Sequence, residues 1–248
     1  MKIVYRLMAV CRCFFLINFK CIILLVLIIP DVAGQVSADN VSIPELNKWY
    51  DSVVGIENTA LINGPEYVLI SPSTYTHPFF EQRSAWQGAV VINSLNYEGL
   101  RLMYDIYSDL LVLEHRYAGQ APIWTVLEKS RIEHFTLASR SFTRHNVNGE
   151  ELYLELIASA NGKMLFAQRR KVRVTKSNRF ELEPSPLFHL KVDNRFHSFY
   201  SLKKFYELYP EIQTPIKDYV RSNDVSLGND QDIIELFKYC EAQTISDI

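Results

Sequence analysis

Histidine is the residue type in this chain best suited to metal binding or proton transfer, and six histidines are present. None stands in the HxH, HExxH or CxxC spacing that is typical of a metal site. His115 and His134 each follow a glutamate within a segment that alternates like a strand. Adjacent strand residues point to opposite faces of a sheet, so neither Glu–His pair converges on one ion. We therefore expect no metal and no cofactor. The six are His77, His115, His134, His145, His189 and His197.

Neither the nucleophilic residues nor the paired acids indicate a catalytic site. No serine lies in the G-x-S-x-G pattern of a nucleophile elbow. Cys240 falls on the apolar stripe of a predicted helix, where a thiol usually serves as a small buried hydrophobe. Paired carboxylates such as Glu151 with Glu155 would suit a glycosidase, but acids that alternate along a strand usually mark its solvated face. We expect no catalytic residues and no enzyme.

Aromatic residues are the best candidates for ligand contact. Tryptophan and tyrosine rings can stack on sugars or line an apolar cavity, and the chain holds 3 Trp and 14 Tyr. The same residue types are favoured in strands for packing alone. A lined pocket and a filled core therefore stay open as alternatives. The candidate binding residues are Trp86, Trp124, Tyr104 and Tyr107.

The region that must position these residues has the apolar pattern of β-strands. From residue 61 to about residue 200 the dominant period is two. Leu100, Leu102 and Tyr104, for example, share one face of a predicted strand. The Asn-Gly pair at 161–162 fits a type I′ hairpin turn, because both residues tolerate positive φ. We expect a mainly β, α+β fold whose antiparallel β-meander forms a curved sheet or partial barrel.

Beyond this β region the apolar period becomes helical. Ser201 and Thr214 can cap the first two helices, and a proline follows Thr214. Asn229 or Asp230 can cap the third. The sequence therefore predicts a short C-terminal helical cluster over residues 201–248, packed on the β domain of residues 61–200 or hung from it.

The N-terminal segment has the order of a secretory signal peptide. Residues 1–34 carry four basic residues, then the apolar run CIILLVLII, then a proline and small residues. Cleavage could follow Gly34 or Ala38. The apolar run is short for a bilayer span, so an uncleaved anchor is the weaker alternative. We expect an exported protein of the periplasm or cell envelope, with residues 35–60 as a lead-in segment and no stable membrane span after cleavage.

Charge narrows the classes of partner. Residues 1–34 carry a net charge of +3, so their removal leaves about −5 on the remaining chain. That acidity fits poorly with nucleic acid or an anionic membrane as the main partner. The basic run RRKVRV at 169–174 alternates with valine. It predicts the solvated face of a strand that continues from the hairpin at 161–162, where cations also protect an edge from pairing. We expect no nucleic-acid partner.

Several short motifs carry a resemblance. They are NGPEY at 63–67, HPFF at 77–80, W-Q-G-x-V at 86–90, YEGLRLMYDIYSD-x-L-V at 97–112 and IKDYVRSN at 216–223. In these motifs the chain resembles a loose family of uncharacterised exported β-rich envelope proteins from Gram-negative bacteria. The resemblance implies a signal peptide, a β-rich body, a C-terminal helical tail and an envelope location. It implies no particular activity.

Two functions stay open at this point. The first is a non-catalytic binding or scaffolding protein of the envelope, which needs a filled core and an exposed apolar or aromatic patch. The alternative is a periplasmic carrier of an apolar ligand such as a lipid, which needs an apolar cavity of roughly 300–1,000 Å³. No strand shows a run of small or glycine residues that would help a sheet curl around a space. We therefore favour the scaffold, with an envelope protein as its partner.

Overall fold

A computed structural model describes residues 60–69, 76–116, 120–176 and 178–246. The predicted signal peptide and the lead-in segment up to residue 59 lie outside these described residues. The described chain forms a ten-stranded antiparallel sheet, a separate two-stranded sheet and a C-terminal group of helices. The mainly β fold with a short helical cluster is confirmed, and the large sheet curves without closing.

The strands, in chain order, are β1 Trp86–Ile92, β2 Leu95–Asp105, β3 Leu110–His115, β4 Ile123–Val126, β5 Ile132–Leu137, β6 Arg140–Val147, β7 Glu150–Ala160, β8 Lys163–Gln168, β9 Lys171–Lys176, β10 Arg179–Pro184, β11 Leu187–Val192 and β12 Arg195–Phe199. The helices are α1 Leu202–Tyr206, α2 Gln213–Ser222 and α3 Asp230–Ser246. Short 3-10 turns lie at Ala60–Ile62, Lys129–Arg131 and Pro210–Ile212. The large sheet has the order β12-β11-β8-β7-β6-β5-β1-β2-β3-β4, and β9 pairs with β10.

Tight hairpin turns join most neighbouring strands of this sheet. Asn161 and Gly162 have φ of 51° and 75°, as the predicted type I′ turn requires. The pair Asn93-Ser94, which lacks the typical Asn-Gly signal, has φ of 48° and 64° and joins β1 to β2. The sheet is thus two meanders that meet where β1 pairs with β5: a first one of β1–β4, and a second one of β5–β8 with β11 and β12.

The sheet curls strongly about one face, which we call the inner face. Tyr104 on β2 and Tyr153 on β7 lie four strands apart, about 19 Å in a flat sheet. Their ring centroids are 5.9 Å apart. Curling is helped by irregular pairing between Gly88 and Val90 and by Gly88 itself, whose Cβ would lie 2.1 Å from the carbonyl oxygen of Thr136. A single glycine and bulges therefore bend the sheet without a run of small residues.

Aromatic rings fill the inner face between β2 and β7. Phe135 lies 4.9 Å from Tyr153 and 5.0 Å from Phe142, between ring centroids, and all three side chains are buried. Tyr104 lies 5.2 Å from both Phe135 and Phe142. These contacts are edge-to-face except for the stacked pair Phe135–Phe142, and they add to the stability that apolar burial provides. The space inside this part of the curl is therefore occupied by side chains.

The three helices cover the inner face of the second meander. Phe188 on β11 and Phe199 on β12 pack with Phe205 of α1 and with Phe237 of α3 in one buried cluster. Cys240 of α3 belongs to this cluster, as its predicted apolar stripe requires. Burial raises the pKa of its thiol to about 12. The thiol therefore stays protonated and serves in packing.

Two of the three predicted helix caps are confirmed. Ser201 accepts a hydrogen bond from the Lys204 amide at the start of α1, 3.2 Å away, and the Asn229 side chain accepts one from the Gln231 amide at α3, 3.0 Å away. The second helix begins at Gln213, directly after the turn Pro210–Ile212, so Thr214 lies inside it.

Two predicted strands differ from the structure. The apolar run EYVLI at 66–70 predicts a strand, but Glu66 forms only an isolated bridge to Thr125 of β4, and Ile70 lies outside the described residues. The strand predicted to run on through RRKVRV stops at Gln168. It is interrupted because Arg169 turns to ion partners and the Arg170 side chain donates to the Ser185 carbonyl oxygen, 2.7 Å away. The chain then resumes as β9, outside the large sheet.

Candidate binding surface

The structure divides the four candidate aromatic residues between different surroundings. Tyr104 is buried on the inner face, and Trp86 packs against the same cluster. Trp124 packs in a separate cluster on the opposite, outer face, with Tyr67 and other residues. Tyr107 lies in the turn after β2 and is exposed. The four residues do not line a common pocket, and their role in ligand binding stays a prediction.

A buried polar group surrounds Tyr104 at the end of β2. The Tyr104 hydroxyl donates to the Asp109 carboxylate, 2.5 Å away, and the Lys129 ammonium group donates to the same carboxylate. The Lys129 nitrogen also lies 5.1 Å from the centre of the Tyr153 ring. Burial, and then the nearby Asp109, raises the pKa of both tyrosines, so their protons are held tightly. Firmly protonated phenols are poor general bases, and this group is better suited to holding the β2–β3 turn.

A network of ion pairs crosses the inner face between the two apolar clusters. Arg169 donates to Glu155 on β7 over 2.7 Å, and its guanidinium forms a two-pronged pair with Asp230 of α3. Arg140 on β6 donates to both Glu155 oxygens over 3.1 Å. Burial opposes ionisation of Asp230, but the two arginines outweigh it and hold its pKa below the usual value. We call these four residues the ion network.

The ion network ties α3 to the sheet and offers little to a ligand. Every member already has a charged partner, and the Arg169 side chain is only 11% exposed. The prediction that the paired acids mark a solvated face is therefore wrong for Glu155, which is buried. It holds for Glu151, which is exposed at the strand end.

The outer face of the second meander carries an exposed apolar patch. Leu156 on β7 is 52% exposed and Met164 on β8 is 39% exposed. Both lie beside Phe166, which pairs directly with Leu156 and packs on Phe196 of β12 at 5.8 Å between centroids. His145 completes the group, 4.9 Å from the Phe166 ring. We call these five residues the outer patch.

No described helix covers the outer patch, since α1, α2 and α3 pack on the inner face. Phe166 and Phe196 of the patch belong to a small apolar cluster on the same face, which includes Leu152 and Leu154, both buried. Exposed leucine and methionine above a rigid aromatic base resemble the centre of a protein interface, where such residues lose water on contact. The sequence carried no clear signal for this patch, because the leucine face of β7 reads as a core face.

His189 lies in the sheet next to the outer patch. One ring nitrogen contacts the Ser198 hydroxyl at 2.8 Å and the other contacts the Gln168 side-chain oxygen at 3.3 Å. Burial, and then the charge of Arg170, lowers the pKa of His189 to about 4. The ring is therefore neutral at pH 7 and bridges β8, β11 and β12 through hydrogen bonds.

Acidification from pH 6.5 to pH 4 should destabilise the fold through His189. The unfolded chain takes up a proton near the ordinary histidine pKa of 6.5, whereas the native ring resists it down to about pH 4. Stability is therefore lost as pH falls through this window, by about 3 kcal/mol for this residue. Urea unfolding as a function of pH measures it. His189→Gln should flatten the profile, and His197→Gln, at an exposed site, should not; equal profiles for the two variants would contradict the assignment.

A shallow open cleft lies where the 3-10 turn at Ala60–Ile62 meets β1 and the segment before β5. Its lining mixes apolar side chains with charged ones. The lining residues are Leu61, Asn63, Gly64, Ile92, Leu127, Glu128 and Arg131. A mixed, open lining does not provide the enclosed apolar volume that a lipid chain needs.

In the described part of the chain, no group of three or more His, Cys, Asp or Glu side chains is arranged to hold a metal ion. None of the helices in those residues has the length and apolar character needed to cross a bilayer.

Comparison with known proteins adds no further identification. No protein-family model matches the chain, and no similar curated protein or solved structure was found.

Proposed function

We propose that the chain is a non-catalytic binding or scaffolding protein of the bacterial envelope, and that it docks a partner protein on the outer patch. The observation that carries this proposal is the exposure of Leu156 and Met164 on a sheet face that the described helices leave open. Apolar groups in such a position gain most from being covered by another surface.

The envelope location rests on the order of residues 1–38: basic, then apolar, then small. Export would expose the outer patch to other envelope proteins. The net charge of about −5 on the exported chain favours an apolar contact with a protein over adhesion to an anionic lipid surface.

The carrier of an apolar ligand remains the alternative function. A carrier would use the inner face of the curl as its cavity, as in barrels that enclose a ligand. Rings of Tyr104, Phe135, Phe142 and Tyr153 occupy that space in contact with one another. This filled core supports the scaffold over the carrier.

Replacing both exposed patch residues should release the partner. We expect Leu156→Glu with Met164→Glu to abolish co-purification of a protein partner from the envelope of the producing cell, because the contact would bury two unpaired charges. Leu69→Glu, at an exposed leucine near the β4 edge, is the matched control and should retain the partner. Native mass spectrometry gives the stoichiometry, and circular dichroism checks that both variants fold.

Organic extraction of the same purified protein separates the two functions. A stoichiometric lipid in the extract would overturn the scaffold and establish the carrier. A partner that survives the double patch variant would contradict docking on the outer patch. Sequencing from the N-terminus tests export, since a mature protein should begin after Gly34 or Ala38, whereas a chain beginning at Met1 and extracted only by detergent would be an uncleaved anchor.

A further inference from the structure

The hairpin of β9 and β10, which we call the arm, pairs with no strand of the large sheet. A two-stranded hairpin is only marginally stable by itself, so its base must be fixed elsewhere. The Lys171 amide donates to the Ile106 carbonyl oxygen over 3.1 Å, and its ammonium group donates to the carbonyl oxygens of His77 and Phe79 over 2.7 and 2.8 Å. These bonds hold the base of the arm against the turn after β2.

The bond from Lys171 also shows which edge of the arm is open. Because its amide points away from β10, the alternation of an antiparallel pair turns the amides and carbonyls of Arg173 and Thr175 outward as well. In the described part of the chain these outward groups of β9 meet no backbone partner. The open edge of β9 can therefore accept another strand, starting from the position where Ile106 bonds to Lys171.

Side chains along this edge select the charge of that strand. Arg173 and Lys176 are both exposed on β9, and Lys176 forms an ion pair with Glu183 of β10. The Arg173 guanidinium lies 3.5 Å from the centre of the Phe180 ring, and Phe180 is 44% exposed on β10. A basic arm with a half-exposed ring thus stands on a chain whose acidic residues outnumber its basic ones, 28 to 26.

We propose that the arm binds an extended, acidic segment of a partner polypeptide, which adds to β9 as a strand. Backbone hydrogen bonds to Arg173 and Thr175 would supply the pairing, as in other cases of strand addition. The Arg173 guanidinium would meet a carboxylate of the segment, and Phe180 would contact its apolar side chains. A phospholipid surface offers no backbone to pair with, which favours a polypeptide. The arm is a second surface, and its role does not depend on the outer patch.

A synthetic peptide of alternating glutamate and valine is the probe for this site. We expect it to bind the full protein and to slow hydrogen exchange at the amides of Arg173 and Thr175. Affinity should fall as salt is added. A lysine–valine peptide should not bind, and neither should the acidic peptide with alternate amides methylated, since it cannot pair with a strand edge.

Two variants of the arm separate charge from backbone pairing. Arg173→Glu should weaken binding about tenfold by reversing a contact charge. Thr175→Pro keeps every charge but removes an outward amide, a change that an edge strand tolerates, and it should abolish binding. Arg221→Glu, at an 81% exposed arginine of α2, is the matched control and should bind like the parent.

The outcomes also distinguish peptide binding at the arm from docking on the outer patch. Binding that leaves the Arg173 and Thr175 amides unprotected, or that survives Thr175→Pro, would overturn strand addition. Absence of peptide binding would overturn it too, as would arm-dependent sedimentation with vesicles of phosphatidylcholine and phosphatidylglycerol. Peptide binding that persists in the Leu156→Glu, Met164→Glu double variant would support the arm as an independent site, whatever the fate of the patch.

Discussion

Arg169→Met should cost about 3–5 kcal/mol of unfolding free energy, because it leaves two partly buried carboxylates without their main partner. Arg169 is the member of the ion network that contacts both Glu155 and Asp230. Its guanidinium remains charged despite burial, and the two carboxylates raise its pKa. Urea denaturation at pH 7 measures the change, and the loss of the Asp230 contact should also loosen α3 from the sheet.

The decisive comparison is with a variant in which the two carboxylates are also neutralised. Adding Glu155→Gln and Asp230→Asn to Arg169→Met should recover part of the lost stability, because neutral amides are less costly to bury than carboxylates. Lys204→Ala removes an exposed pair with Glu207 and should leave the unfolding midpoint unchanged. If Arg169→Met alone were at least as stable as the triple variant, the ion network would not be what joins α3 to the sheet.

Phe135→Ala should cost a similar 3–5 kcal/mol through the cavity that it opens in the aromatic core. Phe135 is fully buried and contacts the rings of Tyr104, Phe142 and Tyr153. Phe180→Ala on the arm removes the same side chain at a 44% exposed site and should cost about 0.5 kcal/mol or less. Thermal or urea unfolding of the two variants measures both losses of unfolding free energy.

The same variant tests whether the inner face is already full. An apolar cavity can take up benzene, and a ligand that binds only the native state raises stability. Benzene should therefore stabilise Phe135→Ala and leave the parent protein unchanged. A parent protein stabilised by benzene would reveal an apolar space in the natural fold and would favour the carrier.

The hairpins of this fold were largely readable from the sequence, because turn chemistry is local. Asn161-Gly162, as expected, and Asp193-Asn194 both join paired strands and have positive φ. The pair Asn93-Ser94 does the same with less typical residues, and it was missed. Local preference could predict strand existence but not the pairing of β1 with β5, which brings together segments some forty residues apart.

The orientation of β7 shows why the candidate surface could not be predicted. Leucines at 152, 154 and 156 lie on one face of the strand, and Tyr153 and Glu155 lie on the other. Pattern alone assigns the leucine face to the core. The helices instead cover the face with the acid, because Arg169 and Asp230 neutralise it there. That charge match depends on residues 14 and 75 positions away in the chain, beyond the reach of periodicity.

The arrangement of two meanders has a consequence for folding during synthesis. Strands β1 to β4 form a run of local hairpins that can close as soon as residue 126 has emerged. One edge of β1, with Val90, Val91 and Ile92, then stays unpaired until β5, which begins at Ile132, has been synthesised. During that interval the nascent chain presents an unpaired, strongly β-forming edge to its surroundings. The order of strands thus makes the β1–β5 seam the step at which chain growth and aggregation compete.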